Sequence, residues 1–214
     1  MDDGLRHAEL QNESLESLCR QAGIDRQAIQ GIVCGKGPGS FTGLRIGMAT
    51  AKGMAAALGC PVCSISALDA MAWRHRHWPG PVLPLLDARK NRFYGALYFK
   101  GNRLGDYVDL AAPNFLPMID AAWQPEFFDH PILVTGPDAG LLINRLQEIP
   151  EAAEPSTLRR FLLDPGARKG WGLELAELGW QAIQAEKWDA ADAGPEYVRS
   201  SDAELGITSS KSPP

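Results

Sequence analysis

The chain has 214 residues, 21 Lys and Arg against 26 Asp and Glu, a formal charge of -5, and 45% hydrophobic and 22% charged residues. That balance is ordinary for a folded protein and excludes a fibrous or wholly disordered one, while the length falls between one large domain and two small ones. An acidic chain lacks the surplus of Lys and Arg that holds nucleic acid unaided, so contact with RNA is expected to pass through a partner.

The first ten residues contain Asp2, Asp3 and Glu9 and no apolar run, and nowhere do ~18 consecutive apolar residues occur. Four cysteines are too few for a disulfide scaffold, so a cytoplasmic protein with no membrane contact is expected. Leu15, Leu18, Cys19 and Ala22 fall at helical spacing ahead of Gly23, which predicts a helix over residues 9–22. Residues 32–34 read as a strand buried on both faces, 35–40 as a glycine-rich loop, and Thr42 or Gly43 to Leu58 as a helix stopped by Gly59-Cys60-Pro61. A second parallel strand is expected over 62–64, with Ser66 capping a helix over 67–74. Trp78-Pro79-Gly80-Pro81 is the strongest break and divides the chain into 1–78 and 79–200, followed by a disordered tail at 201–214. Beyond the break, strands are expected over 82–87, 92–100 and 103–110, with a hairpin at Gly101-Asn102. A strand at 131–135, a helix at 139–147 and a last helix at 172–187 complete the pattern, with no internal repeat.

The informative segment runs Gly37-Pro38-Gly39-Ser40-Phe41-Thr42-Gly43-Leu44-Arg45-Ile46-Gly47. Its glycines permit positive φ and close backbone approach, and Ser40 or Thr42 is placed to cap the following helix. The loop reads either as an anion site built from amide N–H groups or as a tight capped turn. It is neither a Walker A loop nor a dinucleotide fingerprint, because no Gly-Lys-Ser/Thr closes it and Thr42 stands where the third glycine is needed.

With Met48-Ala49-Thr50-Ala51-Lys52-Gly53, the same segment resembles the signature of the TsaB family. Asp87-Ala88-Arg89 with Tyr94 and Leu97, then Thr135-Gly136-Pro137-Asp138-Ala139, then Pro195-Glu196-Tyr197-Val198-Arg199, resemble later family blocks in the same order. The resemblance implies an α/β fold of the actin-like, sugar-kinase-like (ribonuclease H-like) kind in two domains. It implies a non-catalytic scaffold subunit that pairs with TsaD, the paralogue that transfers threonylcarbamoyl to an adenosine of tRNA. TsaE would be reached through the complex, tRNA only indirectly, and homodimers would form when the partner is absent. No cofactor, metal or catalytic residue is implied for this chain. Family members open with a β-hairpin carrying an Asp-Thr type stretch, and residues 1–5 read as the end of that hairpin. The expectation is therefore an N-terminally truncated fold, with upstream codons encoding the missing strand pair.

The helix after the loop has two apolar stripes. Leu44, Gly47, Met48, Ala51 and Ala55 form one, and Ile46, Ala49 or Thr50, Gly53 and Ala57 the other, with Arg45 and Lys52 as its only charges. One stripe is expected on the sheet and the other on a neighbouring helix or on a partner, the second being what the resemblance implies. The candidate interface residues are thus Leu44, Met48, Ala49, Ala51, Gly53 and Ala55, beside the loop residues Gly37, Pro38, Gly39, Ser40, Phe41, Thr42, Gly43 and Arg45. Arg45 itself is a candidate to receive a phosphate or a partner carboxylate.

Cys60-Pro61-Val62-Cys63 has redox-pair spacing, yet both cysteines also suit apolar positions flanking a buried strand. His75 and His77 are too few for zinc and read as a solvated helix end. Asp87 and Asp138 follow apolar strands, where a carboxylate serves either a kinase-like magnesium site or a turn. An ATP-dependent phosphotransferase or ATPase is the competing function, and it requires a phosphate loop and magnesium carboxylates. A peptidase requires a metal site or a nucleophile with its base, and neither is visible in the sequence.

Overall fold

The computed structural model describes residues 3–127, 130–150, 153–166, 170–196 and 198, with residues 3–12 given as backbone only. Helix α1 (Asp3–Ala22) begins upstream of the expected residue 9. Leu5 and Ala8 extend the spacing of Leu15, Leu18 and Ala22 backwards, so from Asp3 onward the segment is the first turn of a helix. The reading of residues 1–5 as the end of a hairpin is corrected accordingly for residues 3–5, while residues 1 and 2 lie outside the described residues.

A first sheet pairs β1 (Ile32–Gly37) with β2 (Val62–Ser66) in parallel, Val33 opposite Cys63. Both strands run further than expected, and β1 takes Gly35, Lys36 and Gly37 out of the presumed loop. Helix α2 (Phe41–Leu58) connects them, closed by Gly59 in the left-handed region at φ 65°. Ser66 accepts a hydrogen bond from the Leu68 N–H and opens α3 (Ala67–Arg74), as the sequence predicted.

A second, five-stranded sheet has the order β5-β4-β3-β6-β7. Strands β3 (Val82–Arg89), β4 (Arg92–Phe99) and β5 (Asn102–Ala111) form an antiparallel meander. The β4–β5 turn falls at Lys100-Gly101, φ 51° and 78°, one step before the expected pair. Strand β6 (Ile132–Thr135) pairs with β3 in parallel, and β7 (Phe161–Leu163) pairs with β6 in parallel. Helix α4 (Phe115–Ala121), the single turn α6 (Pro155–Leu158) and β7 are absent from the sequence reading, being too short to show a period. Helix α5 (Ala139–Gln147) matches it, and α7 (Gly172–Gln184) stops short of 187, with Glu186 at φ 56° just beyond its end.

One face of the larger sheet packs Leu83, Leu85, Phe93 and Val134 against Phe115, Ile119, Leu142 and Leu146. Its other face packs Val82, Ala96, Tyr98 and Leu133 against Leu68, Met71 and Ala72 of α3. Helix α7 returns to the first sheet so closely that a Cβ on Gly179 would lie 2.3 Å from Val33 Cγ2. The chain then crosses the small sheet. The Asp189 N–H donates to the Val62 carbonyl at 2.8 Å, the Glu196 N–H donates to the Lys36 carbonyl at 2.9 Å, and Lys52 Nζ donates to the Ala191 and Ala193 carbonyls. Residues 201–214, expected as a tail, lie outside the described residues. Among the described residues no helix is long and apolar enough to cross a membrane.

Candidate functional site

Strand β1 delivers the glycine-rich segment to the N-terminus of α2. Gly37 and Pro38 are buried, whereas Gly39, Ser40, Phe41, Thr42 and Gly43 are exposed. Gly37 sits at φ 119°, and a Cβ there would stand 2.9 Å from the Glu196 carbonyl oxygen and 3.2 Å from Leu44 Cδ1, so position and crowding both require glycine. Ser40, rather than Thr42, is the cap: its Oγ accepts from the Gly43 N–H at 3.4 Å and its carbonyl from the Leu44 N–H at 2.9 Å. The Arg45 guanidinium lies 4.0 Å from the centre of the Phe41 ring.

Around α2 the candidate interface residues separate. Met48, Ala51 and Ala55 are buried, Leu44 is half-buried, and Ala49 and Gly53 are exposed with Ala56 and Ala57. Gly47, Thr50 and Met54 line a groove of about 870 Å3 shared with Leu15, Leu18 and Cys19 of α1, so part of the second stripe turns toward a helix of the same chain. An exposed arc runs through Phe41, Thr42, Arg45, Ala49, Gly53 and Ala56, with small side chains from Ala49 onward and Arg45 as its one charge.

The separate sequence blocks meet in pairs. Asp138 Oδ2 accepts from the Asp87 N–H at 2.8 Å, and Asp87 Oδ1 accepts from the Arg89 N–H at 2.8 Å, so both carboxylates fasten turns. Gly136, at φ 104°, lets β6 approach β3 so closely that a Cβ would be 2.3 Å from the Leu85 carbonyl oxygen. At the other end of the chain, Lys36 Nζ pairs with Glu196 Oε2 at 2.9 Å, which brings that residue of the last block onto the glycine segment, while Tyr197 and Arg199 lie outside the described residues.

His75 is not a solvated helix end. Its Nε2 lies 3.1 Å from Asp164 Oδ2 and 3.3 Å from Thr135 Oγ1, and the Thr135 hydroxyl donates to the same carboxylate at 2.8 Å. Beside it, Arg74 Nε donates to Glu174 Oε1 at 2.6 Å, and that bond holds the Glu174 carboxyl below its ordinary pKa despite burial. All four cysteines are free thiols. Cys63 is buried with Sγ 3.9 Å from the Lys187 carbonyl oxygen, and burial, with the charge of Asp189, pushes the Cys34 thiol up to about 11. Burial raises the Cys63 thiol as well, so neither Cys34 nor Cys63, the second cysteine of the Cys60-Pro61-Val62-Cys63 run, has the lowered pKa of a redox nucleophile.

Sequence reasoning missed a third cluster. Asp69 in the first turn of α3 accepts from the Tyr98 hydroxyl at 2.6 Å and the Tyr107 hydroxyl at 2.8 Å, and burial raises the pKa of both tyrosines. No sequence spacing links a helix carboxylate to two strand tyrosines. Among the described residues no group of three His, Cys, Asp or Glu is arranged to hold a metal ion.

The family model described as "TsaD: tRNA N6-adenosine threonylcarbamoyltransferase" matches residues 4–125. The chain is 29% identical over 195 residues to the tRNA threonylcarbamoyladenosine biosynthesis protein TsaB of Bacillus subtilis (strain 168), covering 89% of this chain and 79% of that protein. A solved structure from Pseudomonas aeruginosa, an uncharacterized protein with similarity to peptidase YEAZ, superposes with a TM-score of 0.66 at 24% identity, over 86% of this chain and 81% of the other. YeaZ from Pseudomonas aeruginosa superposes with a TM-score of 0.64 at 22% identity, over 89% and 85%. These likenesses show the mixed α/β fold to be of the ribonuclease H-like, actin-like type.

Proposed function

We propose, on the premise that this chain belongs to the family of tRNA N6-threonylcarbamoyladenosine proteins and within it to those named TsaB, that it is the scaffold subunit of the complex that makes this tRNA modification. In this reading residues 1–78 and 79–200 are two ribonuclease H-like subdomains, the catalytic paralogue TsaD transfers the threonylcarbamoyl group, and TsaE joins through the complex. In this reading the protein acts in the cytoplasm and reaches tRNA through its partner.

The observation that carries the reading is the outward arc of α2. Ala49, Gly53 and Ala56 are exposed on a helix whose opposite side, Met48, Ala51 and Ala55, is buried in the chain's own core. Small uncharged side chains let two helices approach closely, and charged residues are what a solvated face ordinarily carries. The capped turn at Ser40 fixes the direction in which this helix leaves the sheet. Asp87 and Asp138, which a phosphotransferase would place on magnesium, are instead engaged with backbone N–H groups at 2.8 Å.

The test is reconstitution. The purified chain is expected to pair with TsaD and to restore tRNA threonylcarbamoylation in a mixture lacking only this subunit, while modifying no tRNA alone. Threonylcarbamoyl transfer by the chain without TsaD, or failure to pair with it, would refute the proposal.

A further inference from the structure

We propose that a groove between the end of α3 and the β4–β5 hairpin is a contact surface for unpaired RNA, so that this chain touches the tRNA directly as well as through its partner. The proposal rests on the scaffold reading for the identity of the RNA. The groove itself is read from side chains that play no part in that reading.

The hairpin tip sits on the end of α3: a Cβ on Gly101 would lie 3.2 Å from Arg76 Cβ and 3.3 Å from the Trp73 ring. A hollow opens on each side of this contact. One, of about 630 Å3, is lined by Trp73, Arg76, His77, Trp78, Pro79 and Lys100. The other, of about 410 Å3, shares Trp73 and adds Lys36, Asn102, Arg103 and Tyr107 together with the carboxylates of Asp69 and Glu196. Each hollow has room for a nucleotide base, and together they combine flat rings with cations.

The cations are mounted on rings. The Arg103 guanidinium lies 3.8 Å from the Tyr107 ring centre, that of Arg76 4.7 Å from Trp73, and Lys100 Nζ 5.0 Å from Phe99. Unpaired bases stack on aromatic and guanidinium planes while neighbouring cations meet their phosphates, which is how sequence-tolerant single-strand binding works. The carboxylates nearby are already engaged. Asp69 accepts from Tyr98 and Tyr107, Glu177 accepts from Trp73 Nε1 at 2.7 Å and lies 3.8 Å from Arg76, and Glu196 is paired with Lys36. Among the described residues, Lys100 and Arg103 have no carboxylate within 4.0 Å, although the chain as a whole carries -5. An acidic protein surface would satisfy the same cations but would make no use of paired hollows walled by tryptophan and tyrosine. Net charge, which argued for indirect contact, is a sum over the chain and says nothing about a local patch.

The experiment uses the full chain assembled with TsaD and unmodified tRNA as the probe, titrated across a salt series. Lys100 and Arg103 are both exposed, so the Lys100→Gln/Arg103→Gln variant is expected to fold and to pair with TsaD as the wild type does. Its complex should bind tRNA about tenfold more weakly near physiological salt, with the slope of log K against log salt flattened by roughly 1.4, about 0.7 for each lost phosphate contact. Arg103→Lys should recover its share of the salt slope without the full affinity, because it restores the charge and not the plane. Unchanged tRNA affinity and slope in the double variant would overturn the proposal. So would loss of TsaD pairing in a variant that remains folded, since the groove would then hold an acidic protein surface. A wild-type chain that does not pair with TsaD overturns the scaffold reading itself and the RNA contact with it.

Discussion

Gly37 and Gly136 are places where one hydrogen in place of a methyl decides whether the backbone can close. A Cβ on Gly37 would meet the Glu196 carbonyl oxygen at 2.9 Å at a φ of 119°, so neither the conformation nor the neighbour can yield cheaply. Gly37→Ala is expected to destabilise the chain by roughly 1–3 kcal/mol, and thermal melting should show a fall of about 2–4 °C for each kcal/mol. A melting temperature equal to wild type would mean that the last described segment does not lie on the glycine loop. Arg74 and Glu174 supply a pH-dependent term. The bond from Arg74 lowers the Glu174 carboxyl below its ordinary 4.5, so the folded chain binds its proton less readily than the unfolded one. Stability from the pair is therefore complete above the ordinary glutamate range and is lost as pH falls through the lowered folded value. Urea melts between pH 6 and pH 3 should show a steeper acid decline for wild type than for Glu174→Gln. That variant should also be less stable than wild type at pH 6, because it leaves the partly buried Arg74 without its counter-charge.

Helix α2 carries the sharpest element-level test, because a fraction of a turn separates core from surface. Ala51 and Ala55 are buried, so Ala51→Glu and Ala55→Glu place an unpaired charge among apolar groups and cost several kcal/mol against a total of about 5–15. These variants should be unfolded or aggregated. Gly53 is exposed and nothing lies within 4 Å of a Cβ placed there, while glutamate is a better helix former than glycine by roughly half a kcal/mol or more. Gly53→Glu should therefore melt at or above the wild-type temperature, and Ala49→Glu close to it. If the outward arc seats a partner helix, both should lose TsaD in a pull-down while remaining folded. Retained pairing in both would move the interface to another surface.

At the scale of the molecule, the C-terminal segment ties the small sheet together after α7 has covered it. Asp189 bonds β2, Glu196 bonds β1, and Lys52 reaches from α2 to the Ala191 and Ala193 carbonyls. A charged donor shared by two carbonyls is worth more than a neutral bond, and its loss leaves both acceptors without that partner. Lys52→Met is expected to cost about 1–3 kcal/mol and to speed proteolytic cleavage within residues 188–196 ahead of any cleavage in the five-stranded sheet. Equal cleavage rates in wild type and variant would show that the segment is held by its other contacts.

The sequence by itself determined the α/β alternation, the capped turn ahead of α2, Ser66 as the cap of α3, and the positions of most strands along the chain. Each rests on local physics: a period of side chains, a cap residue, a glycine where φ turns positive. The family blocks were legible for the same reason, being contiguous runs. Sequence did not determine which stripe of α2 lies outward, because both stripes are small and apolar and only α1 and the sheet select between them. It misplaced His75 in solvent, because Thr135 and Asp164 lie far along the chain from it and come together only through β6 and β7. It placed Asp3, Gly4 and Leu5 at the end of a hairpin where a helical spacing continued from Asp3. The groove at Lys100 and Arg103 was invisible for a further reason: its cations are scattered between two elements, and a chain with net charge -5 gives no hint that they converge. Long-range closure of the backbone, which brings distant polar groups within hydrogen-bond reach, is what tertiary structure alone decided.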